Sequence, residues 1–503
     1  MRCRFALGPG SPVRRIVTLR NDLSEPRQHY GLTLGILTLA AAAYALQQTM
    51  VVPALPALQD ELDASTTWVT WVLTGFLLSA AVCTPILGKL GDRFGKERLL
   101  ALSLAIFLVG CIGCAAAPDI WTLILFRIVS GTAGAVFPLS FGIIRDEFPP
   151  ERMKVGIGLL SAVFGIGGGF GLVLSGLIID NASWRWLFVV GALGVAVALV
   201  LVHRFVPESP VRSTSRIDVP GALLMSLALV SLLLALSEGG GWGWTSPAVL
   251  GLFALSALGA VAWVLLELHV DEPLIDIRVL AERPVLLTNI TALISGFAMF
   301  GSFVLVPRFV EAPGGLPPEI AERLGYGFAA TATTTGLYLL PGSLLMLFAG
   351  PAAGILGRVV GSKWPLALGM TLVALSATCL AVLHDEPWQI VLAMSGLSVG
   401  VGFAFAAMAA LITEAVEPTE TGIATGINTV MRTVGAVVGA QVGAAILTAT
   451  TLEGTSVPTE GAYVTAFALA AAAAAFAGAI AVFVTPPRLR RARSRVAVEA
   501  RSA

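Results

Sequence analysis

Gly88-Lys89-Leu90-Gly91-Asp92-Arg93-Phe94-Gly95-Lys96-Glu97-Arg98 is a short, charged, glycine-punctuated stretch between two long apolar runs, Trp68 to Leu87 and Leu99 to Ala117. Each run is long enough to cross a bilayer, which takes about 20 residues at 1.5 Å of rise. The stretch is therefore expected to be a tight loop at a membrane surface. Lys89, Arg93, Lys96 and Arg98 crowd it, with Asp92 among them. Gly91 and Gly95 carry no side chain, so one helix can end and the next begin almost in contact.

Composition points the same way. The chain is 56% hydrophobic and 12% charged, against about 25% charged in an ordinary soluble protein. This implies an all-α polytopic membrane protein and excludes a soluble enzyme. The net charge of zero gives no sign of a nucleic-acid partner. Cys3, Cys83, Cys111, Cys114 and Cys379 show neither disulfide nor metal spacing.

Fourteen apolar runs follow one another from Gly31 to Val484, an even number that puts both termini on one side. The expected division is a tail at 1–30, a six-helix bundle at 31–206, a linker with two inserted helices at 207–284, a second six-helix bundle at 285–485 and a basic tail at 486–503. With the N-terminus inside, 26 of the 31 Lys and Arg fall on inner segments, while Arg185, Arg308 and Arg323 fall outside and Arg127 and Arg432 within spans. Cation excess marks the cytoplasmic side. Trp68, Trp121, Trp184, Trp186, Trp242, Trp244 and Trp388 cluster at outer span ends, where an interfacial belt is expected.

The Gly88–Arg98 stretch resembles the signature loop between helices two and three of the major facilitator superfamily, in Gly88, Leu90, Asp92, Arg93, Gly95, Lys96 and Arg98. The inserted pair is similar to that of the fourteen-helix drug:proton antiporter branch, in Leu236-Ser237-Glu238-Gly239, Trp242-Gly243-Trp244, Glu267 and Glu272-Pro273-Leu274-Ile275-Asp276. Ser183-Trp184-Arg185-Trp186-Leu187-Phe188 extends the likeness. The resemblance implies a monomeric plasma-membrane exporter of small amphipathic organic compounds with both termini cytoplasmic and no cofactor. It would work by alternating access in exchange for protons. The alternative is a facilitator or exchanger of the same fold without proton coupling. An intramembrane enzyme or receptor is disfavoured, because no H-E-x-x-H, G-x-S-x-G or phosphate-loop pattern occurs.

Two arginines lie at lipid depth. Arg127 sits about 10 Å into the fourth span, where an unshielded guanidinium costs on the order of 3 kcal/mol or more. In the family this position, followed by glycines such as Gly131 and Gly134, is linked to proton transfer. Its usual carboxylate partner on the first span is replaced here by Gln47, followed by Gln48. An amide-to-guanidinium hydrogen bond is expected, and an amide exchanges no proton, which weakens the inference of coupling. Arg432, deeper in span thirteen, is expected to face a central cavity or a cluster of carbonyls. The pair makes the interior electropositive and favours neutral or anionic cargo. Glu238, Glu267 and Glu414 are read as solvated carboxylates at span ends, with Glu414 the one to test for coupling.

Gly167, Gly171 and Gly176 in span five, and Gly435, Gly439 and Gly443 in span thirteen, read as close helix contacts. Gly171 and Gly176 partly match the family's antiporter motif, while Leu172 and Ser175 depart from it. The start of span thirteen is expected to meet Asp92 as a latch, with Lys96 and Asp146 in the same network.

Overall fold

The computed structural model of the chain describes residues 30–213, 217–314, 316, 318–455 and 457–484. Fourteen long helices fill these residues: α1 (Tyr30–Thr49), α2 (Thr66–Phe94), α3 (Lys96–Ala115), α4 (Ile120–Glu147), α5 (Pro150–Asn181), α6 (Arg185–Phe205) and α7 (Val219–Trp242). Then come α8 (Pro247–His269), α9 (Arg283–Glu311), α10 (Ala332–Val360), α11 (Lys363–Val382), α12 (Pro387–Ala415), α13 (Thr421–Ala449) and α14 (Glu460–Val482). Thirteen segments are long and apolar enough to cross a membrane. The remaining helix, α5, has 32 residues, about 48 Å at 1.5 Å each, which also exceeds a hydrocarbon core of roughly 30 Å.

Helix starts follow side-chain chemistry. Asp119, Asp218, Ser246 and Thr331 each precede a helix and accept the backbone N–H three residues on, satisfying a donor that the helix leaves open. The charged stretch is less of a loop than its composition suggests. α2 continues through Phe94 and α3 begins at Lys96, so Gly95 alone links them. Its φ of +118° is open to glycine and strained for other residues. α4 is interrupted by a 3-10 turn at Gly131–Ala135, where Gly131 lies against the Phe76 carbonyl and Ser79 of α2.

Helices α1–α6 pack around one set of apolar residues, including Tyr44, Phe107, Phe137 and Val195. Helices α9–α14 pack around another, including Met370, Leu397, Ala474 and Phe467. The halves meet along two seams, α2 with α13 and α5 with α10 and α12. In each seam the second helix of one half meets the fifth of the other, so the seams are twofold-related. α7 lies across the α2/α13 seam, and α8 packs chiefly on α7. Tyr30 packs against Phe148 beyond the end of α4, and Val484 joins Leu366 near the start of α11. Both ends of the described chain thus lie on the face that carries Gly95. Apart from Tyr30, the two tails, with Cys3 and all of their cations, fall outside the described residues.

Several expectations change. Trp184 does not join the belt: it is 1% exposed and its indole N–H donates to Glu61 at 2.8 Å. Trp68, Trp121, Trp186, Trp242, Trp244 and Trp388 are exposed. Glu238 and Glu267 are buried rather than solvated. Glu267 accepts Trp263 Nε1 at 2.8 Å and the Ile275 N–H at 3.3 Å, fastening the segment after α8 to its helix.

Gly435 and Gly439 lie against the Leu293 and Phe297 carbonyls of α9, and Gly443 against Leu305. This contact lies within the second half and not between halves. A side chain at Gly435 would run into backbone that cannot swing away, and such overpacking costs about 2 kcal/mol. Gly435→Leu is expected to lower the melting temperature of the detergent-solubilised protein and its folded yield, with Gly251→Leu, in open space on helix α8, as the control for burial.

Candidate functional site

Asp92, fully buried at the end of α2, spans the first seam. Its two carboxylate oxygens accept the N–H groups of Gly422 and Ile423, each at 3.2 Å. Those donors open α13, where the helix dipole favours an anion. Gly88 permits the approach, because a Cβ there would meet the Gly422 carbonyl at 2.5 Å. Lys96 Nζ stands 3.4 Å from Asp92 and 2.7 Å from Asp146. The half-buried Arg93 lies over the neighbouring Phe94 ring at 5.1 Å.

The linker after α6 straps this cluster, a feature the sequence reading missed. Ser209 donates to Asp146 at 2.5 Å, the Ser213 N–H donates to the Asp92 carbonyl at 2.6 Å, and Glu208 pairs with Arg98 at 3.4 Å over Gly95. Arg145 adds a further tie between the halves. From the end of α4 it donates to the Val416 carbonyl at 2.7 Å, the Glu417 carbonyl at 3.1 Å and the Thr421 hydroxyl at 2.5 Å, all in the other half.

The second seam is held on the same face by an ion pair. Lys154 of α5 lies 2.6 Å from Glu414 of α12, and its ammonium also donates to the Gly357 carbonyl at 3.0 Å and Ser362 at 3.2 Å. Glu414 is therefore neither a freely solvated carboxylate nor a cavity residue. A signal for this existed: Gly88-x-x-Gly91-x-x-x-Gly95 recurs as Gly354-x-x-Gly357-x-x-x-Gly361, and Gly361 repeats the positive φ, at +90°. Arg358 occupies the position of Asp92, so the second copy has lost its acid and Glu414 supplies one from the neighbouring helix.

In the interior, Arg127 is 1% exposed. Its Nε donates to the Val72 carbonyl at 3.0 Å and its Nη1 to the Gln47 carbonyl at 3.4 Å, while the guanidinium stacks on Phe76 at 4.2 Å. The expected amide contact is not the one made: Gln47 Nε2 donates to the Leu187 carbonyl of α6 at 2.7 Å. A donor-only guanidinium is served by main-chain oxygens, and the amide fastens α1 to α6. Gln48 is half-buried. Thr49 donates to the Gly167 carbonyl at 2.6 Å, Gly171 faces Thr49, and Gly176 faces Thr333 of α10 across the halves.

Arg432 lines a cleft between the halves with Thr425 and Asn428 of α13, Ser161 of α5, Phe141 of α4 and Phe405 of α12. Its guanidinium lies 4.1 Å from the Phe405 ring. Tyr44 of α1 is within electrostatic reach of both Arg127 and Arg432. The cleft has about 10 Å³ of free space, room for roughly one water. A drug-sized molecule fits only when the halves part. Phe76 and Phe137 pack in the first half around Tyr44. Among the described residues no group of His, Cys, Asp and Glu is arranged to hold a metal ion.

Two helical bundles that meet on twofold-related seams around a lipid-buried polar cleft define a membrane transporter of the two-repeat kind. The chain belongs to the Major Facilitator Superfamily, whose family profile matches residues 37–315 and 312–502. It is 31% identical over 338 residues to the uncharacterized MFS-type transporter YhcA of Bacillus subtilis (strain 168), covering 66% of this chain and 60% of that protein. It is 27% identical over 374 residues to the tetracenomycin C resistance and export protein of Streptomyces glaucescens, covering 74% and 67%. Multidrug resistance protein 3 of Bacillus subtilis (strain 168) matches at 29% over 404 residues, covering 78% and 74%. The chain thus spans between three-fifths and three-quarters of the length of these relatives. The crystal structure of the human organic anion transporter MFSD10 (TETRAN) superposes with a TM-score of 0.65 at 14% identity, covering 90% of this chain and all of that one, a likeness of fold.

Proposed function

We propose that this protein is a secondary exporter of small amphipathic organic compounds, working by alternating access as a monomer in the plasma membrane. The Gly95 face and both termini would be cytoplasmic, in line with the cation excess of the inner segments. The observation that carries the reading is the cluster of polar contacts joining the halves on the Gly95 face, Asp92 on Gly422 and Ile423, Arg145 on Val416, and Lys154 on Glu414, against a single exposed Thr333–Asp180 hydrogen bond at 3.1 Å among the described residues at the opposite ends of α5 and α10. Such contacts can break and reform as rigid halves rock, which alternating access requires. The resistance and export named for two of the relatives supports the outward direction. Small-molecule cargo would bind the cleft beside Arg432, and the latch would comprise Gly88, Asp92, Arg93, Gly95, Lys96 and Asp146.

Proton exchange is the reading supported by the resemblance to the drug:proton branch. A second reading, exchange or facilitation without protons, is favoured by one observation: Gln47 stands where the family carries an acid. Uptake of fluorescent dyes and antibiotics into inverted vesicles, with and without a protonophore, decides between them. Collapse of uptake assigns protons, persistence assigns the second reading, and no uptake of any compound over vesicles lacking the protein rejects export.

A further inference from the structure

On the flank of the second half, α11 and α14 leave a groove of about 580 Å³ between them, lined from Ala367 to Thr378 on one helix and from Ala471 to Val482 on the other. Both helices are membrane spans, and Thr371, Leu375, Ala475 and Val482 are exposed along the groove. It therefore opens onto the hydrocarbon of the bilayer, on the far side of α11 and α14 from the cleft. Small side chains make the hollow. Ala367, Thr371, Ala374 and Thr378 share one face of α11 at helical spacing, and Ala471, Ala475 and Gly478 oppose them on α14. Neither threonine has a hydroxyl proton to spare: Thr371 donates to the Ala367 carbonyl at 2.9 Å and Thr378 to the Ala374 carbonyl at 2.8 Å. A polar cargo gains nothing from such a wall.

We propose that this groove holds one acyl chain of an anionic phospholipid, with the headgroup at Lys363 and Trp364. Size selects a chain over a helix. Spread over twelve residues of each helix, about 18 Å at 1.5 Å per residue, the groove has a mean cross-section of roughly 30 Å², whereas a helix about 10 Å across needs roughly 80 Å². An alkyl chain is only one methylene wide. Charge at the mouth selects the headgroup. Lys363 stands one helical turn before Ala367, so the lined face of α11 runs on into its side chain. Its ammonium lies 5.1 Å from the Trp364 ring, and an ammonium over a ring still has N–H donors for a phosphate. Trp364 is 46% exposed, an interfacial ring of the kind that sits at headgroup level. From Phe348 to Leu383 the only charged residues are Arg358 and Lys363, and α14 ends at the same mouth, followed in residues 486–503 by six arginines and one acid. Basic segments of this sort beside a membrane attract anionic lipid.

The test is native mass spectrometry of the full-length protein, titrated in detergent with phosphatidylglycerol and phosphatidylcholine of identical chains. The first phosphatidylglycerol is expected to bind at least fivefold tighter than the first phosphatidylcholine. Ala475→Phe, which fills the groove, should weaken it at least tenfold. Lys363→Gln should bring it down to the phosphatidylcholine value, and Leu258→Phe, on the exposed face of α8, should change neither lipid. On the unaltered chain, phosphatidylglycerol with a diazirine in its acyl chain should label residues 367–378 or 471–482 ahead of all other spans and lose that labelling to unlabelled phosphatidylglycerol, which keeps the proposal testable if a variant fails to fold. Equal affinity for the two lipids, binding indifferent to Ala475→Phe or to Lys363→Gln, or labelling spread evenly over the spans overturns the assignment. A dimer that Ala475→Phe dissolves makes the groove an interface between copies and overturns it as well. The lipid site stands or falls by these results whichever way the vesicle uptake falls.

Discussion

Asp92→Asn should leave the folded protein largely intact and shift it toward the form open on the Gly95 face. The carboxylate is buried and accepts two backbone N–H groups at the start of α13. Hydrogen bonds to a charged group contribute about 1.5–3 kcal/mol each, and the helix end adds up to about 1 kcal/mol for an anion. An amide keeps one acceptor and loses the charge. A net weakening of about 2 kcal/mol corresponds to roughly a thirtyfold shift in the equilibrium. The measurement is labelling of a cysteine placed at Thr425, which borders the cleft, by a membrane-impermeant maleimide from the Gly95 face. Unchanged labelling would remove Asp92 from any latch.

Glu414→Gln and Lys154→Gln should each shift the same labelling in the same direction, and the double variant should be no worse than the more severe single one. The pair is 2.6 Å apart with side chains 19% and 22% exposed, so solvent screens it. About 1 kcal/mol, or roughly fivefold, is the expected size of each single effect. This pattern distinguishes a cross-half tie from a proton carrier. If Glu414 bound the driving proton, Glu414→Gln would abolish uncoupler-sensitive uptake while Lys154→Gln spared it. If the tie is its role, the two variants behave alike and the charge exchange Lys154→Glu with Glu414→Lys recovers part of the loss.

Much of the helical order was legible in the chain because lipid burial leaves long apolar runs that need no partner to recognise. The reach of α2 was harder to see. Charges at Lys89, Asp92 and Arg93 look like loop, yet Asp92 is matched by backbone donors from a helix 330 residues away, which local composition does not display. The same distance hid the Lys154–Glu414 tie, although the repeated glycine spacing at Gly354, Gly357 and Gly361 was there to be read. Gln47 shows a different limit. Its depth beside Arg127 was apparent, but the direction of its amide depends on the Leu187 carbonyl of α6, and residue type alone does not fix that. Trp184 and Glu61 are partners across 123 residues, and neither residue alone announces the other.

The pair α7–α8 covers only one of the two twofold-related seams. α7 lies over the α2/α13 seam, while α5 and α10 close on each other directly, Gly158 against the Gly350 carbonyl and Gly354 against the Lys154 carbonyl. One seam is thus sealed by a third helix and the other by bare backbone, and the molecule has a front and a back although its two repeats are alike.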